Sequence, residues 1–454
     1  IPGIPGVGEK TAAKLLKLYD TLEGVLENAD KITGAMGEKV RAGKASAIMS
    51  KKLATIITKS PVVFHEEDFK LKEADLWLSA NAHSSVADLR LKYGLSRPYF
   101  SWITRLEAQH KYAKKFPKLL QTEWVFPAGQ ATEQSSSERT AEYKASLVSS
   151  PYTVDLCAGM GIDSWALTNR ETGRGHFANE LDTGLSRLIA VNLKNSTTAS
   201  GSAEDALPQL KRWLQEKDIS PMEVTIYLDP DRRTGSGKSV ALQDASPNIV
   251  DLQKELLNLS HTLLTKHSPM IDLAALNELN HLSEIHVVEY QGECKEVLAI
   301  QRWGHTGSPT CKLVVLKEHF IAERSSVKGV SEEIPYVTEL DQFLIQPGPG
   351  LAKSNLHELL AAEEQWKKWT VGNLYTCNHI PPSSPFYKRY KVMEVAKPYK
   401  LKLPEEGGAI ERIGYPEHPD VIRKKLGWKE GHENKLFAVK RGKEKLMVFA
   451  KRLE

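Results

Sequence analysis

The residues best suited to chemistry in this chain are acids gathered around a pair of glycines. Val154-Asp155-Leu156-Cys157-Ala158-Gly159-Met160-Gly161-Ile162-Asp163 holds two carboxylates and two glycines, and Glu180, Asp205 and Asp229 follow at wider spacing. Glycine lets backbone N–H groups approach a ligand closely, and a helix starting behind it adds partial positive charge. The dinucleotide fingerprint G-x-G-x-x-G is incomplete, because Ser164 stands at its third glycine. Asp155 and Asp163 would repel a pyrophosphate, yet they can accept hydrogen bonds from an ammonium group. The pattern therefore favours a zwitterionic, cationic ligand such as S-adenosylmethionine over NAD. Cys157 reads as a small lining residue of the same turn; nothing basic adjoins it to make it a nucleophile.

Such residues need a rigid support, and the flanking sequence supplies one. Tyr152 to Leu156 reads as a buried strand, and Ser164 to Thr168 opens a helix. Further strands at 175–180, 197–200 and 224–228 alternate with helices, the signature of a doubly wound α/β sheet. Glu180 lies about 20 residues past the glycines, where such folds set a carboxylate on ribose hydroxyls. Asp205 follows the third strand and is expected at the adenine edge. Asp229 ends the apolar run Val224-Thr225-Ile226-Tyr227-Leu228, beside the reacting centre, because ligands bind outside the carboxyl ends of strands. Apolar runs at 284–290, 297–302 and 312–317 complete the sheet. The last two, joined through 304–309, read as consecutive strands making an antiparallel edge.

Several separated motifs now resemble one family. They are the glycine turn, Glu133-Gln134-Ser135-Ser136-Ser137-Glu138, Leu228-Asp229-Pro230-Asp231-Arg232-Arg233, Lys266-His267-Ser268-Pro269 and Glu293-Cys294-Lys295-Glu296. Together they resemble the class I S-adenosylmethionine-dependent methyltransferases, and closer still a bacterial methyltransferase family with a C-terminal THUMP-like domain, over about residues 75 to 454. The resemblance implies a Rossmann-like sheet, donor binding by Asp155, Gly159, Gly161, Glu180 and Asp205, and the 133–138 segment over the cofactor. Methyl transfer from a sulfonium requires alignment and exclusion of water, and no metal. Asp229, Pro230 and Arg232 are the expected catalytic residues. Asp229 is to accept a hydrogen bond or a proton from the nucleophile, while also bordering the cofactor, and Arg232 is to hold a phosphate or carboxylate. Enzymes that methylate base amines commonly show Asn/Asp-Pro-Pro-Tyr/Phe here. The second proline and the aromatic are missing from Asp229-Pro230-Asp231-Arg232, which leaves ring-nitrogen, carbon and 2′-hydroxyl targets open.

A second informative stretch opens the chain: Ile1-Pro2-Gly3-Ile4-Pro5-Gly6-Val7-Gly8-Glu9-Lys10-Thr11-Ala12. Prolines and glycines make a tight hairpin, and an amphipathic helix runs from Glu9 to Tyr19. Backbone amides at Gly6 and Gly8, with Lys10 and Thr11 beside them, suit a DNA phosphate. Residues 1 to about 72 resemble the helix-hairpin-helix part of the DNA polymerase I 5′-nuclease domain. That family's metal-binding carboxylates precede this motif and so fall before Ile1; nuclease activity is not expected.

Between the two lies a helical cap, residues 73–130, whose tryptophans read as core and whose lysines read as solvated. The sheet domain is expected over 131–330, a small ferredoxin-like subdomain over 331–385, and the THUMP-like domain over 386–454. Pro381-Pro382-Ser383-Ser384-Pro385 reads as a linker, and the segment after it is visibly basic. By resemblance that last domain handles RNA. The net charge of +4 permits a nucleic-acid substrate without demanding one. No apolar run reaches the ~20 residues of a membrane span. Four scattered cysteines without a C-x-x-C pair fit a cytoplasmic protein with no metal site. The sequence therefore reads as a methyltransferase with RNA as substrate and DNA as a further partner through residues 1–72. The alternatives are a DNA methyltransferase and a catalytically idle nucleic-acid-binding protein. The oligomeric state is not legible.

Overall fold

The computed structural model describes residues 4, 7–19, 21–48, 71–94, 96, 98–127, 130–232, 242–317, 321–327 and 333–453. The chain divides into two compact units, residues 1–63 and 64–454. In the first, the helices Glu9–Tyr19, Leu22–Glu27 and Gly34–Ala42 close over Val25, Leu26, Ala29, Val40 and Ala47. Thr21 starts the second helix by accepting a hydrogen bond from Gly24 N, the ordinary N-cap device.

The second unit opens with the helices Leu71–Asn81, Val86–Tyr93 and Tyr99–Tyr112. Their aromatic residues pack on one another: Tyr93 stacks on Tyr99 at 4.1 Å, and Trp77 meets Trp102 at 5.8 Å. Trp102 is buried in a small core, and Trp77, Tyr93 and Tyr99 pack half-buried against it.

A nine-stranded sheet follows. Its strands are β1 (Tyr152–Asp155), β2 (Gly175–Glu180), β3 (Thr197–Ser200), β4 (Val224–Leu228), β7 (Thr262–His267), β8 (Leu282–Tyr290), β9 (Glu293–Arg302), β10 (Thr310–Leu316) and β11 (Ile321–Val327). The two remaining strands before β7 are β5 (Asp231–Arg232) and β6 (Ala245–Ser246), which form a separate antiparallel ribbon. The spatial order is β11-β10-β8-β9-β7-β4-β1-β2-β3. The strand order runs outward from β1 on both sides, to β2 on one and β4 on the other, and this switch point opens a crevice at the carboxyl ends of these parallel strands.

Two expectations for the sheet need correction. The run at 297–302 and the run at 312–317 do not pair with each other. Gln291 and Gly292 both have positive φ and turn β8 tightly into β9, as hairpin geometry favours. Strand β9 then inserts antiparallel between β7 and β8, and β10 lies outside, parallel to β8. The antiparallel edge is β11.

Strands β12 (Tyr336–Val337), β13 (Phe343–Pro347), β14 (Lys367–Trp369), β15 (Tyr375–Cys377), β16 (Tyr387–Ala396), β17 (Ala409–Ile413), β18 (Asn434–Arg441) and β19 (Glu444–Arg452) form one eight-stranded sheet. It spans both stretches that the sequence separates at 385, because β13 pairs with β16. Between β13 and β14 the helix His357–Glu363 ends where the chain turns. Gln365 adopts a positive φ, and Trp366 turns into the core. Among the described residues no helix is long and apolar enough to cross a membrane.

Candidate donor crevice

Beyond the ends of β1, β2, β4 and β7 lies a crevice of about 500 Å3. Its wall at β1 is the glycine turn. Gly159 and Gly161 have φ of 56° and 90°, left-handed values that a side chain rarely tolerates. Gly161 is the N-cap of the helix Ile162–Thr168, and a Cβ there would stand 3.6 Å from the Trp124 ring. Glu180, at the end of β2, accepts hydrogen bonds from Gly159 N at 2.7 Å and Asp182 N at 2.8 Å. Each carboxylate oxygen keeps a lone pair for a ligand hydroxyl. Burial pushes its pKa up.

The sequence-read site residues separate into three groups. Cys157, Gly159, Asp163, Glu180, Asp229 and Pro230 line the crevice together. Burial pushes the Cys157 thiol well above its ordinary pKa, which keeps it protonated. Asp155, Gly161 and Asp205 do not line it. Asp155 is wholly buried, and its carboxylate turns inward to accept Cys157 N at 3.1 Å and the Ser164 hydroxyl at 2.7 Å. It latches the strand to the helix, and Ser164, at the position of the missing glycine, is its partner. Asp205 lies in the first turn of the helix Ala203–Glu216, where its N–H donates to the N-cap Ser202 Oγ at 3.0 Å and its Oδ2 accepts from the Ser202 hydroxyl at 2.8 Å, while its neighbour Glu204 borders the crevice. The third group lies at the edges of the description. Arg232 belongs to the ribbon strand β5, and Arg233 and Gly6 lie outside the described residues. Gly8 is exposed just ahead of the first helix and accepts from Thr11 N and Ala12 N; Lys10 and Thr11 lie in that helix.

Burial, opposed by the Ser164 hydrogen bond and aided by the nearby Asp163 and Asp229, pushes the Asp155 pKa up to about 8. An unfolded aspartate titrates near ~3.9. Between these values the unfolded chain releases a proton that the folded chain retains, so this group's stabilisation falls as pH rises. Asp155→Asn removes the titration. The variant should gain on the wild type by on the order of 3 kcal/mol between pH 5.5 and 8. Melting curves of both proteins at the two pH values measure it; a gap independent of pH would refute the assignment.

Beneath the crevice lies a charge network that sequence reasoning missed. Lys144, on the helix Glu138–Ser146, is 1% exposed. Its ammonium donates to Ser136 Oγ at 2.8 Å and Glu296 Oε2 at 3.1 Å and pairs with Asp163 Oδ1 at 2.8 Å. Asp163 Oδ2 also accepts from Ser136 at 2.8 Å and Tyr227 at 3.1 Å. Burial works against the Lys144 charge, but Asp163 and then Glu296 outweigh it and hold its pKa above the ordinary value. Asp163 is likewise held below the carboxylate range by Lys144, against its own burial. A signal was present: Ala141, Lys144, Ala145 and Val148 share one helical stripe, so Lys144 faces the core.

A second ion pair lies at the strand ends. Lys266 donates to Asp229 Oδ2 at 2.5 Å. Burial opposes the lysine's charge, but Asp229 and then Glu296 raise its pKa. His267 accompanies it in the wall, 3.1 Å from Thr265 Oγ1, and burial lowers its pKa to about 4; it stays neutral. The opposite lip is the short helix Gln130–Gln134 with Ser135 and Ser136. Lys115 secures it by donating to Thr132 O at 2.9 Å and Glu133 O at 2.7 Å. Among the described residues no group of three or more His, Cys, Asp or Glu is placed to hold a metal ion.

A solved structure of similar fold is that of a Porphyromonas gingivalis W83 protein described as a methyltransferase. It matches at a TM-score of 0.70 over 87% of this chain and all of that one, at 22% identity. The chain has a methyltransferase fold. The N-terminal stretch has different relatives. Residues 1–76 match the family model described as 5'-3' exonuclease, C-terminal SAM fold, where SAM names a helical fold and not the methyl donor. DNA polymerase I of Bacillus subtilis (strain 168) is 54% identical over 63 residues, which are 14% of this chain and 7% of that one. That of Caldicellulosiruptor bescii is 38% identical over 107 residues, 24% of this chain and 12% of that one. The chain thus spans about a tenth of the length of these curated relatives.

Proposed function

We propose that this methyltransferase fold is an S-adenosylmethionine-dependent enzyme acting on RNA, with a DNA-backbone-binding segment at its N-terminus. The observation that carries the reading is the crevice itself: Gly159, Glu180 and Asp229 converge at the strand ends, around a volume suited to a nucleoside. Its donor set fits the methyl donor. Glu180 has lone pairs for ribose hydroxyls, and the Gly159–Gly161 turn lets a ligand approach the backbone. Asp163 and Asp229 supply negative charge near a sulfonium. When bound, the donor supplies a methyl group on that sulfonium. The protein's part is to hold the acceptor in line and keep water out. Asp229, held through Oδ2 by Lys266, keeps Oδ1 for an acceptor N–H or O–H. Pro230, Pro247 and Pro269 present flat apolar walls that suit a planar base. RNA as substrate is supported by the basic C-terminal sheet.

Calorimetry with S-adenosylmethionine tests the pocket. Wild type should bind, and Glu180→Ala should bind at least tenfold more weakly; equal affinity removes Glu180 from the site. Failure of the wild type to bind leaves a nucleic-acid-binding protein without a reaction. Incubating total RNA and DNA with radiolabelled donor then tests the substrate. Label in RNA is expected, and label in DNA alone transfers the assignment to a DNA methyltransferase.

A further inference from the structure

A second cavity, of about 480 Å3, shares no lining residue with the donor crevice. That volume lies within the range of small-molecule sites. One wall is the stretch Thr122–Val125, which leads from the helical cap towards the sheet domain. The others are the ends of the two helices Ile162–Thr168 and Thr183–Asn192. Trp124 and Trp165 supply aromatic surface from opposite parts of the chain. Among the described residues Glu123 and Lys194 are the only charged groups in the lining. They carry one charge of each sign, so the cavity is neutral.

The walls are tied to each other. Asn192 grips the Val125 backbone with both ends of its amide, accepting from Val125 N at 2.9 Å and donating to Val125 O at 3.0 Å. Trp124 N donates to Thr122 Oγ1 at 3.2 Å. One polar group is left over. Trp124 is 5% exposed, and its buried Nε1 has no hydrogen-bond partner among the described residues. Leaving a buried donor in that state costs about 1–3 kcal/mol. Asn195 and Ser196 add an amide and a hydroxyl to the lining. Each helix also ends in carbonyls that have no partner inside the helix.

Both tryptophans rest on Gly161. A Cβ on that glycine would stand 3.6 Å from the Trp124 ring, and Trp165 N donates to Gly161 O at 2.8 Å. Gly161 closes the turn through which Gly159 reaches the crevice. We infer that this cavity binds an uncharged nucleoside as an effector, which acts on the donor turn through Trp124 and Trp165. The aromatic walls take a flat ring. The buried indole N–H takes a ring carbonyl or ring nitrogen, and the Asn195 amide and helix-end carbonyls take the N–H groups of a base. A neutral lining offers nothing to offset the desolvation of a phosphate. A base seated on Trp124 holds that ring against Gly161, so effector and donor should tighten each other's binding by the same factor. The cavity and its ligand class stand without the methyltransferase reading, and only the effector role rests on it.

Calorimetry of the full chain with guanosine, cytidine and uridine tests the site; adenosine is left out because the proposed donor carries it. At least one nucleoside should bind with a Kd below about 1 mM, and ribose should not. Trp165→Ala should weaken that binding at least tenfold. So should Asn195→Trp, which fills the cavity from an exposed position and leaves the core intact. Glu180→Ala and Asp229→Ala, on the crevice, should change it by less than twofold. Three results overturn the site: no nucleoside binds, ribose binds as tightly as the nucleoside, or the crevice variants lose as much as Trp165→Ala. Saturating nucleoside should tighten S-adenosylmethionine binding at least threefold in wild type and leave it unchanged in Asn195→Trp. Unchanged donor affinity in wild type overturns the effector role. A protein that binds a nucleoside here yet binds no S-adenosylmethionine upholds the cavity and refutes the methyltransferase reading.

Discussion

Lys144→Met should destabilise the large unit by about 3–5 kcal/mol, the largest stability loss expected of any single substitution here. The Lys144 ammonium donates to Ser136 and Glu296 and forms an ion pair with Asp163, and the two carboxylates left behind are buried. Methionine fills a similar volume, so the loss measures the stranded charge on Asp163 and not a cavity. Two consequences separate this account from a packing defect. Lys144→Met combined with Asp163→Asn should recover at least half of the loss, because asparagine still serves Ser136 and Tyr227 without a charge. Lys144→Arg should fall between wild type and Lys144→Met, since a guanidinium keeps the charge but not the shape. Thermal unfolding should show the single variant lower by roughly 10 °C. A double variant no more stable than the single one would remove the charge explanation.

Asp229→Ala should lower the rate of methyl transfer by about 10²–10⁴-fold, the range of a positioned general base, with donor affinity changed by less than roughly threefold. Asp229 stands at the end of β4, and Lys266 at the end of β7 holds one of its oxygens. That hold fixes the direction of the other oxygen, which is what an acceptor N–H or O–H needs for in-line approach. Single-turnover transfer of radiolabel to RNA at saturating donor gives the rate, and calorimetry gives the affinity. A variant that loses affinity while turning over normally would place Asp229 on the donor and not on the acceptor. Lys266→Met offers a second view: the rate should fall with a smaller effect, because the carboxylate persists but is no longer held.

The sequence by itself determined the parts that depend on local rules. Alternating apolar strands and helices dictated a doubly wound sheet. The glycines at 159 and 161 dictated the turn at the end of β1, because only glycine adopts those φ values freely. Glu180 and Asp229 were legible as crevice residues because a carboxylate that ends a strand in such a sheet has one place to go. The DNA polymerase I-like stretch at the N-terminus was legible from its hairpin and helix alone. Tertiary structure decided what each carboxylate faces. Asp155 and Asp163 look alike in the sequence, yet Asp155 meets Ser164 inside the fold, whereas Asp163 meets Lys144 at the crevice wall. Lys144 reads as a helix residue, and its partner Glu296 lies far along the chain on β9. The placement of β9 between β7 and β8, and the pinning of the proline-serine segment by Arg389, follow the same logic. Backbone conformation is set by neighbours in the chain. The direction of a charged side chain is set by whichever opposite charge the fold brings within reach, and burial makes that choice costly to reverse.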